Sequence, residues 1–129
     1  MNILVVEDNM ASARMLCSNI LKWRYSVEAA ETGKEALKRL GEQQFDVILL
    51  DIFLPDGRGH LLIPEMQQLS PHSWIITMTG YNSRELELEV RKKGIAYYMI
   101  KPFRMAEMKA ILDHMSRKRE EVALNGTTG

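Results

Sequence analysis

Four places in this 129-residue chain join a short apolar run to a residue able to do chemistry at its end. Asn2–Val6 runs into Glu7 and Asp8, Phe45–Leu50 ends on Asp51, Trp74–Met78 on Thr79, and Tyr97–Ile100 on Lys101. Three carboxylates brought into one small volume repel, and one would keep its proton unless a cation were present. A hard cation such as Mg2+, which takes oxygen ligands and retains several waters, suits such a set. The Lys101 ammonium and the Thr79 hydroxyl would complete a pocket for a tetrahedral anion. Metal, ammonium and hydroxyl all stabilise charge on a phosphoryl group in transfer. Taken singly, each residue reads as a helix cap or a solvated strand end; their coincidence at four strand ends favours one shared site.

The elements that must position these residues are legible from periodicity. The run up to Asp51 is nearly unbroken in apolar character, as in a strand covered on both faces. Val27–Ala30 is a weaker strand, and Ile52–Gly59 reads as a loop from its proline and two glycines. Helical spacing recurs at Ala13, Leu16, Cys17, Ile20 and Leu21 behind a candidate cap, Asn9. Thr32-Gly-Lys-Glu35 is a capping box that opens a second helix. A third pattern spans His60–Leu69, where Pro64 either kinks the helix or delays its start by a turn. Asn82-Ser-Arg-Glu85 opens a fourth helix reaching Lys93, with Gly94 as its stop. Met105, Met108, Ile111, Leu112 and Met115 form the last apolar stripe, and Arg117–Glu121 reads as a solvated helix end. Five strands alternating with five helices predict one α/β domain, a doubly wound parallel sheet with helices on both faces. Its strand carboxyl ends share one edge, where ligands bind in open sheets of this kind.

Composition bounds the function from outside. The chain is 46% hydrophobic and 26% charged, and Lys plus Arg equals Asp plus Glu at 17 each. A net charge of zero gives no footprint for nucleic acid or an anionic membrane. The single Cys17 cannot form an internal disulfide, which fits a cytoplasmic, soluble chain in a reducing compartment. His60, His72 and His114 have no ligand spacing and read as surface or helix-end residues. The nine methionines and the two tryptophans, Trp23 and Trp74, read as packing residues, and the sequon at Asn125–Thr127 is idle in a cytoplasmic chain.

The ordered set VVED with Glu7 and Asp8, ILLDIFLPDGRG around Asp51, MTG with Thr79 and YYMIKPF with Lys101 and Pro102 resembles the receiver domain of two-component response regulators. The resemblance covers residues 1–120 as a receiver domain and leaves 121–129 as a disordered tail or the start of a linker. It implies a flavodoxin-like fold with strand order 2-1-3-4-5. It also implies that Asp51 is phosphorylated by a histidine kinase or phosphotransfer protein. Asp8 would then bind Mg2+ directly, Glu7 through water, and Phe53 through its backbone carbonyl, while Thr79 and Lys101 hold the phosphoryl oxygens. A cis bond before Pro102 and a Thr79–Tyr98 coupling are implied in the same way. Helical spacing turns Leu86 and Val90 inward and Leu88 outward, which makes the fourth helix and last strand, with Tyr98 nearby, the expected output face. Leu88 and Tyr98 are the expected contacts there for a phosphorylation-dependent homodimer or effector.

Departures from that pattern are specific. Arg24 stands where the first helix commonly ends in glycine, and Lys93 precedes Gly94 where a small residue is usual. Phe53 and Tyr81, each two residues past a site residue, are aromatic where polar residues often stand. They would flank the approach of hydrolytic water and slow loss of the phosphoryl group, making both hydrolysis-rate modulators. Phe53 also weighs against the main alternative, a Mg2+-dependent phosphohydrolase with an aspartyl-phosphate intermediate, which needs a second acid at that position. A flavodoxin-like binding protein fits less well, because Glu7 and Asp8 would repel the phosphate its first loop must cradle. The domain is thus expected to be a regulatory phosphoacceptor rather than an enzyme.

Overall fold

A computed structural model describes residues 1–126, with side chains through Leu124. Its strands and helices run β1 (Asn2–Val6), α1 (Met10–Lys22), β2 (Ser26–Ala30), α2 (Gly33–Glu42), β3 (Val47–Asp51), β4 (Phe53–Leu54), β5 (Gly57–Arg58), α3 (Ile63–Leu69), β6 (Trp74–Thr79), α4 (Arg84–Arg91), β7 (Tyr97–Ile100) and α5 (Met105–Gly126). The five long strands form one parallel sheet in the order β2-β1-β3-β6-β7, which is 2-1-3-4-5 when they are counted alone.

Alternate residues of the inner strands serve two separate cores, as a sheet covered on both faces requires. Ile3, Val5, Val47, Leu49, Ile76 and Met78 pack with Leu16 and Ile20 of α1 and with Met108, Leu112 and Met115 of α5. Leu4, Val6, Ile48, Leu50 and Ile75 face the other way, onto Ala36 and Leu40 of α2 and Ile63 and Met66 of α3. All five residues of β3 are buried. The caps stand where the chemistry asks for them: the side chains of Asn9, Thr32 and Ser83 accept from the N–H groups of Ser12, Glu35 and Leu86.

Several local expectations change. The stretch after Asp51 is not only loop: β4 and β5 pair antiparallel, Phe53 opposite Arg58 and Leu54 opposite Gly57, around a Pro55-Asp56 turn. The third helix starts late, at Ile63 with Pro64 in its first turn, behind a 3-10 turn over Gly59–Leu62. His60 is buried, not superficial. The chain is pulled inward there because Gly59 packs against the backbone of Asp51: a Cβ on Gly59 would stand 2.3 Å from the Asp51 carbonyl oxygen. His60 Nε2 then lies 3.2 Å from Glu89 Oε1 of α4. Arg119, expected on a solvated end, instead folds over Trp74 with its guanidinium carbon 4.4 Å from the ring centroid. The helix carrying it continues to Gly126, so residues 121–126 are helical where a disordered tail or linker was expected. Residues 127–129 of that tail lie outside the described residues. None of the described helices is long and apolar enough to cross a membrane.

Candidate functional site

Adjacent parallel strands bring the four chemical ends to one edge. Glu7 follows β1, fixed by its N–H donating to the Ala30 carbonyl at 3.0 Å, and is 1% exposed. Asp51 closes β3 and is also buried. Lys101 leaves β7 with its N–H donating to the Thr79 carbonyl at 2.8 Å, and the Lys101–Pro102 bond is cis. Its Nζ donates to Glu7 Oε1 at 2.6 Å and to Asp51 Oδ2 at 2.9 Å. Oxygen atoms of Glu7, Asp8 and Asp51 all lie within 4.8 Å of one another.

The charges do not balance. Three carboxylates face one ammonium, and the second Glu7 oxygen, Oε2, is buried without a hydrogen-bond partner among the described residues. Burial, reinforced by the neighbouring Asp51 carboxylate, raises the Glu7 carboxyl from 4.5 to about 7 despite the opposing pull of Lys101. Burial disfavours the Lys101 ammonium, but its hydrogen bonds to Glu7 and Asp51 outweigh that and raise its pKa. An unpartnered buried oxygen beside an exposed Asp8 and an acceptor-only set of carboxylates fits a hard divalent cation entering from solvent. Sequence reasoning placed these residues on one edge; the Lys101 bridge between Glu7 and Asp51 is what the fold adds.

Thr79 is fully buried, and its hydroxyl accepts from the Tyr81 N–H at 3.0 Å. Phe53 donates its own N–H to Asp51 Oδ1 at 3.2 Å. A cleft of about 380 Å3 opens over the acids, bordered by Asp8, Asp51, Phe53, Tyr81 and Lys101. The rings of Phe53 and Tyr81 meet there edge to face, with centroids 5.1 Å apart. Tyr98 is half-buried on β7, donating its hydroxyl to Asn82 Oδ1 at 2.6 Å beneath the Arg91 guanidinium. Leu88 of α4 is 52% exposed, while Val90 is buried, as helical spacing requires.

The model of the response regulator receiver domain matches residues 3–113, nearly all of the sheet and its helices. The chain belongs to this family. As a receiver domain it is 33% identical over 112 residues to the transcriptional regulatory protein ZraR of Escherichia coli K12, covering 87% of this chain and 25% of that one. It is also 33% identical over 121 residues to the two-component response regulator ORR21 of Oryza sativa subsp. japonica, covering 92% of this chain and 17% of that one. The receiver domain therefore spans about a quarter or less of the length of these curated relatives. Among solved structures, a response regulator from Burkholderia pseudomallei with a phosphorylated aspartic acid, calcium ion and citrate superposes with a TM-score of 0.81 at 32% identity, covering 96% of this chain and 74% of that one. The beryllofluoride-activated NtrC4 receiver domain dimer gives 0.85 at 31% identity, covering 91% and 97%.

Three receiver-domain contacts escaped sequence reading. Gly59 against Asp51 is hinted at only by the DGRG spacing, and the His60–Glu89 pair by nothing local. The third is Asp56, whose carboxylate accepts from the Gly33 and Lys34 N–H groups at 2.9 and 3.0 Å. That ties the tip of the β4–β5 hairpin to the start of α2 and holds the Asp56 carboxyl below its ordinary value.

Proposed function

We propose that Asp51 is the phosphoacceptor of this receiver domain, taking a phosphoryl group from a histidine kinase or phosphotransfer protein in a Mg2+-dependent reaction. The observation that carries the reading is the Lys101 ammonium shared between Asp51 Oδ2 and Glu7 Oε1 inside a cluster of three carboxylates. Mg2+ held by Glu7, Asp8, Asp51 and the Phe53 backbone carbonyl would supply the positive charge that the acids lack.

The chain's own groups divide the remaining work. Asp51 is a weak nucleophile already oriented by two contacts, Phe53 N–H on Oδ1 and Lys101 on Oδ2. As an incoming phosphoryl group nears Asp51, the Lys101 ammonium is placed to offset the build-up of negative charge. Thr79 already accepts a hydrogen bond from Tyr81, and its own hydroxyl proton stays free to be donated to a phosphoryl oxygen. Turning that hydroxyl inward would vacate room for Tyr98 to leave Asn82, reshaping the face of α4 and β7 that carries Leu88 and Tyr98. That face would receive a second copy or an effector, in the cytoplasm. Phe53 and Tyr81 would keep water from the aspartyl-phosphate and make its hydrolysis slow. A phosphohydrolase finds no support: the residue two past Asp51 is a phenyl ring packed on Tyr81.

The test is direct. Incubated with Mg2+ and acetyl phosphate, the wild-type protein should gain one phosphoryl group by intact mass, and Asp51→Asn should gain none. Equal labelling of the two would refute the assignment.

A further inference from the structure

The hairpin that follows the acceptor strand brings a cation onto a ring that borders the site. Its register sets Arg58 opposite Phe53, and the Arg58 guanidinium carbon stands 4.1 Å from the centroid of the Phe53 ring. The same ring meets Tyr81 edge to face. Neither end of the hairpin is free: Asp56 pins its tip to α2, and Gly59 N–H donates to the Ile52 carbonyl at 2.6 Å to close its base. Arg58 is exposed, and among the described residues it forms no salt bridge that would draw it away from the ring. A guanidinium over an aromatic face is attracted by the ring's quadrupole, and Arg does this better than Lys because its plane can stack.

We propose that Arg58 is a positioning residue that holds the Phe53 ring across the approach to Asp51 and so lengthens the life of the phosphoryl group. The inference rests on the phosphoacceptor reading above. In hydrolysis a water oxygen bonds to phosphorus while the bond from phosphorus to the Asp51 carboxylate oxygen breaks. The electron pair of that bond returns to the carboxylate, the water's proton leaves with the phosphate or to solvent, and inorganic phosphate departs. Water must enter in line with the breaking bond, where Phe53 and Tyr81 border the cleft. Arg58 biases the ring toward that position without touching the reacting atoms. An exposed guanidinium could act oppositely, by reaching a phosphoryl oxygen and speeding cleavage, and the two roles differ in sign.

The experiment follows loss of phosphoryl label after acetyl phosphate is removed at saturating Mg2+, in wild type, Arg58→Ala, Arg58→Lys, Phe53→Ala and the Arg58→Ala/Phe53→Ala double variant. Arg58→Ala should shorten the half-life by about two- to fivefold, the range expected for releasing one exposed cation–ring contact. Arg58→Lys, which keeps the charge but not the stacking plane, should restore only part of it, and Arg58→Ala should add nothing once Phe53 is Ala. An unchanged or longer half-life in Arg58→Ala overturns the proposal, as does an effect of Arg58→Ala that persists without the Phe53 ring. Failure of wild type to take up label at all would overturn the phosphoacceptor reading and this inference with it; uptake with equal half-lives removes the inference alone.

Discussion

At the amino edge of the sheet, Asp46 is surrounded by partners. Its carboxylate accepts from the Asn2 N–H at 2.7 Å, and its carbonyl accepts from the Trp74 N–H at 2.9 Å and from the Arg119 guanidinium at 3.0 Å. Arg119 also bonds the His72 carbonyl and covers the Trp74 ring. At the carboxyl edge, Glu7, Asp8 and Asp51 crowd one ammonium, and a Glu7 oxygen is left without a partner. Both edges set carboxylates against a cation, but Glu7 and Asp51 are buried whereas Asp46 and Arg119 are partly exposed. At the amino edge the two charges face each other, Arg119 Nε lying 3.7 Å from Asp46 Oδ1 without a hydrogen bond, so cation and carboxylate balance one to one. At the carboxyl edge the set is one cation short. Buried polar groups that are fully satisfied rigidify a fold, whereas a deficit of this sort costs stability and is relieved by a proton, a water or an ion. The two edges thus separate stability from function along a single sheet.

The separation can be broken hardest at Lys101. Lys101→Met removes the side chain that bridges Asp51 to Glu7. Phosphoryl uptake from acetyl phosphate should fall by about a hundred- to a thousandfold, the usual loss for one preorganised electrostatic contact. Urea unfolding at saturating Mg2+ should move little by comparison. A variant that labels at the wild-type rate would show that Lys101 is a structural ion pair and nothing more.

The converse change is Arg119→Ala. It loses a stacked guanidinium and two carbonyl contacts at once, worth roughly 2 kcal/mol of unfolding free energy after solvent screening of a half-exposed group. Phosphoryl uptake should stay within about twofold of wild type, since the substitution creates no charge near the acids. Collapse of uptake with unchanged stability would reverse the assignment of the two edges.

A second bond on the amino side carries a pH signature. Tyr25 donates its hydroxyl to Asp113 Oδ1 at 2.5 Å, and Lys109 pairs with the other oxygen. Burial and that bond raise the Tyr25 hydroxyl from 10.0 to about 12. The Lys109 and Tyr25 hydrogen bonds hold the Asp113 carboxyl below 3.8. A raised phenol contributes stability that is complete below 10.0 and lost as pH climbs through about 12. A depressed carboxyl contributes stability that is complete above 3.8 and lost as pH falls through its lower folded value. Tyr25→Phe should therefore cost about 1 kcal/mol, and the cost should be flat with pH inside those limits. A cost that varies across neutral pH would mean some other group controls the bond.

How far the sequence foretold these edges depends on the range of each interaction. Glu7, Asp51, Thr79 and Lys101 were legible because each ends an apolar run, and a parallel sheet aligns such ends without further information. The strand order came from the family resemblance rather than from periodicity. His60 was misread as superficial because its burial is imposed by Gly59 leaning on Asp51, a contact between turns that no periodicity records. Arg119 was misread for the same kind of reason: a helix end rich in charge looks solvated until Trp74, 45 residues away in sequence, is folded beneath it. The pairing of Phe53 with Arg58 needs the hairpin register, and a Pro-Asp turn between two-residue strands is too short to announce one.

The smallest expected effect concerns a turn on the amino side whose backbone is strained. Helix α1 closes with Arg24 N–H donating to the Leu21 carbonyl at 3.0 Å and Tyr25 N–H to the Ile20 carbonyl at 3.2 Å. That pair of bonds is a Schellman end, which requires a left-handed residue at the position Arg24 holds. Its φ is 69°, the only positive value among non-glycine residues described. A side chain in that conformation costs roughly 1–2 kcal/mol, part of which glycine would give back through its greater freedom in the unfolded chain. Arg24→Gly should thus stabilise the domain by about 0.5–1 kcal/mol in urea unfolding, with phosphoryl uptake unchanged. Arg24→Ala keeps the Cβ and the strain, so it should stay within a few tenths of wild type, about 0.5 kcal/mol at most. If Ala stabilises as much as Gly, the penalty lies in the Arg24 side chain itself, and the turn is not strained at the backbone.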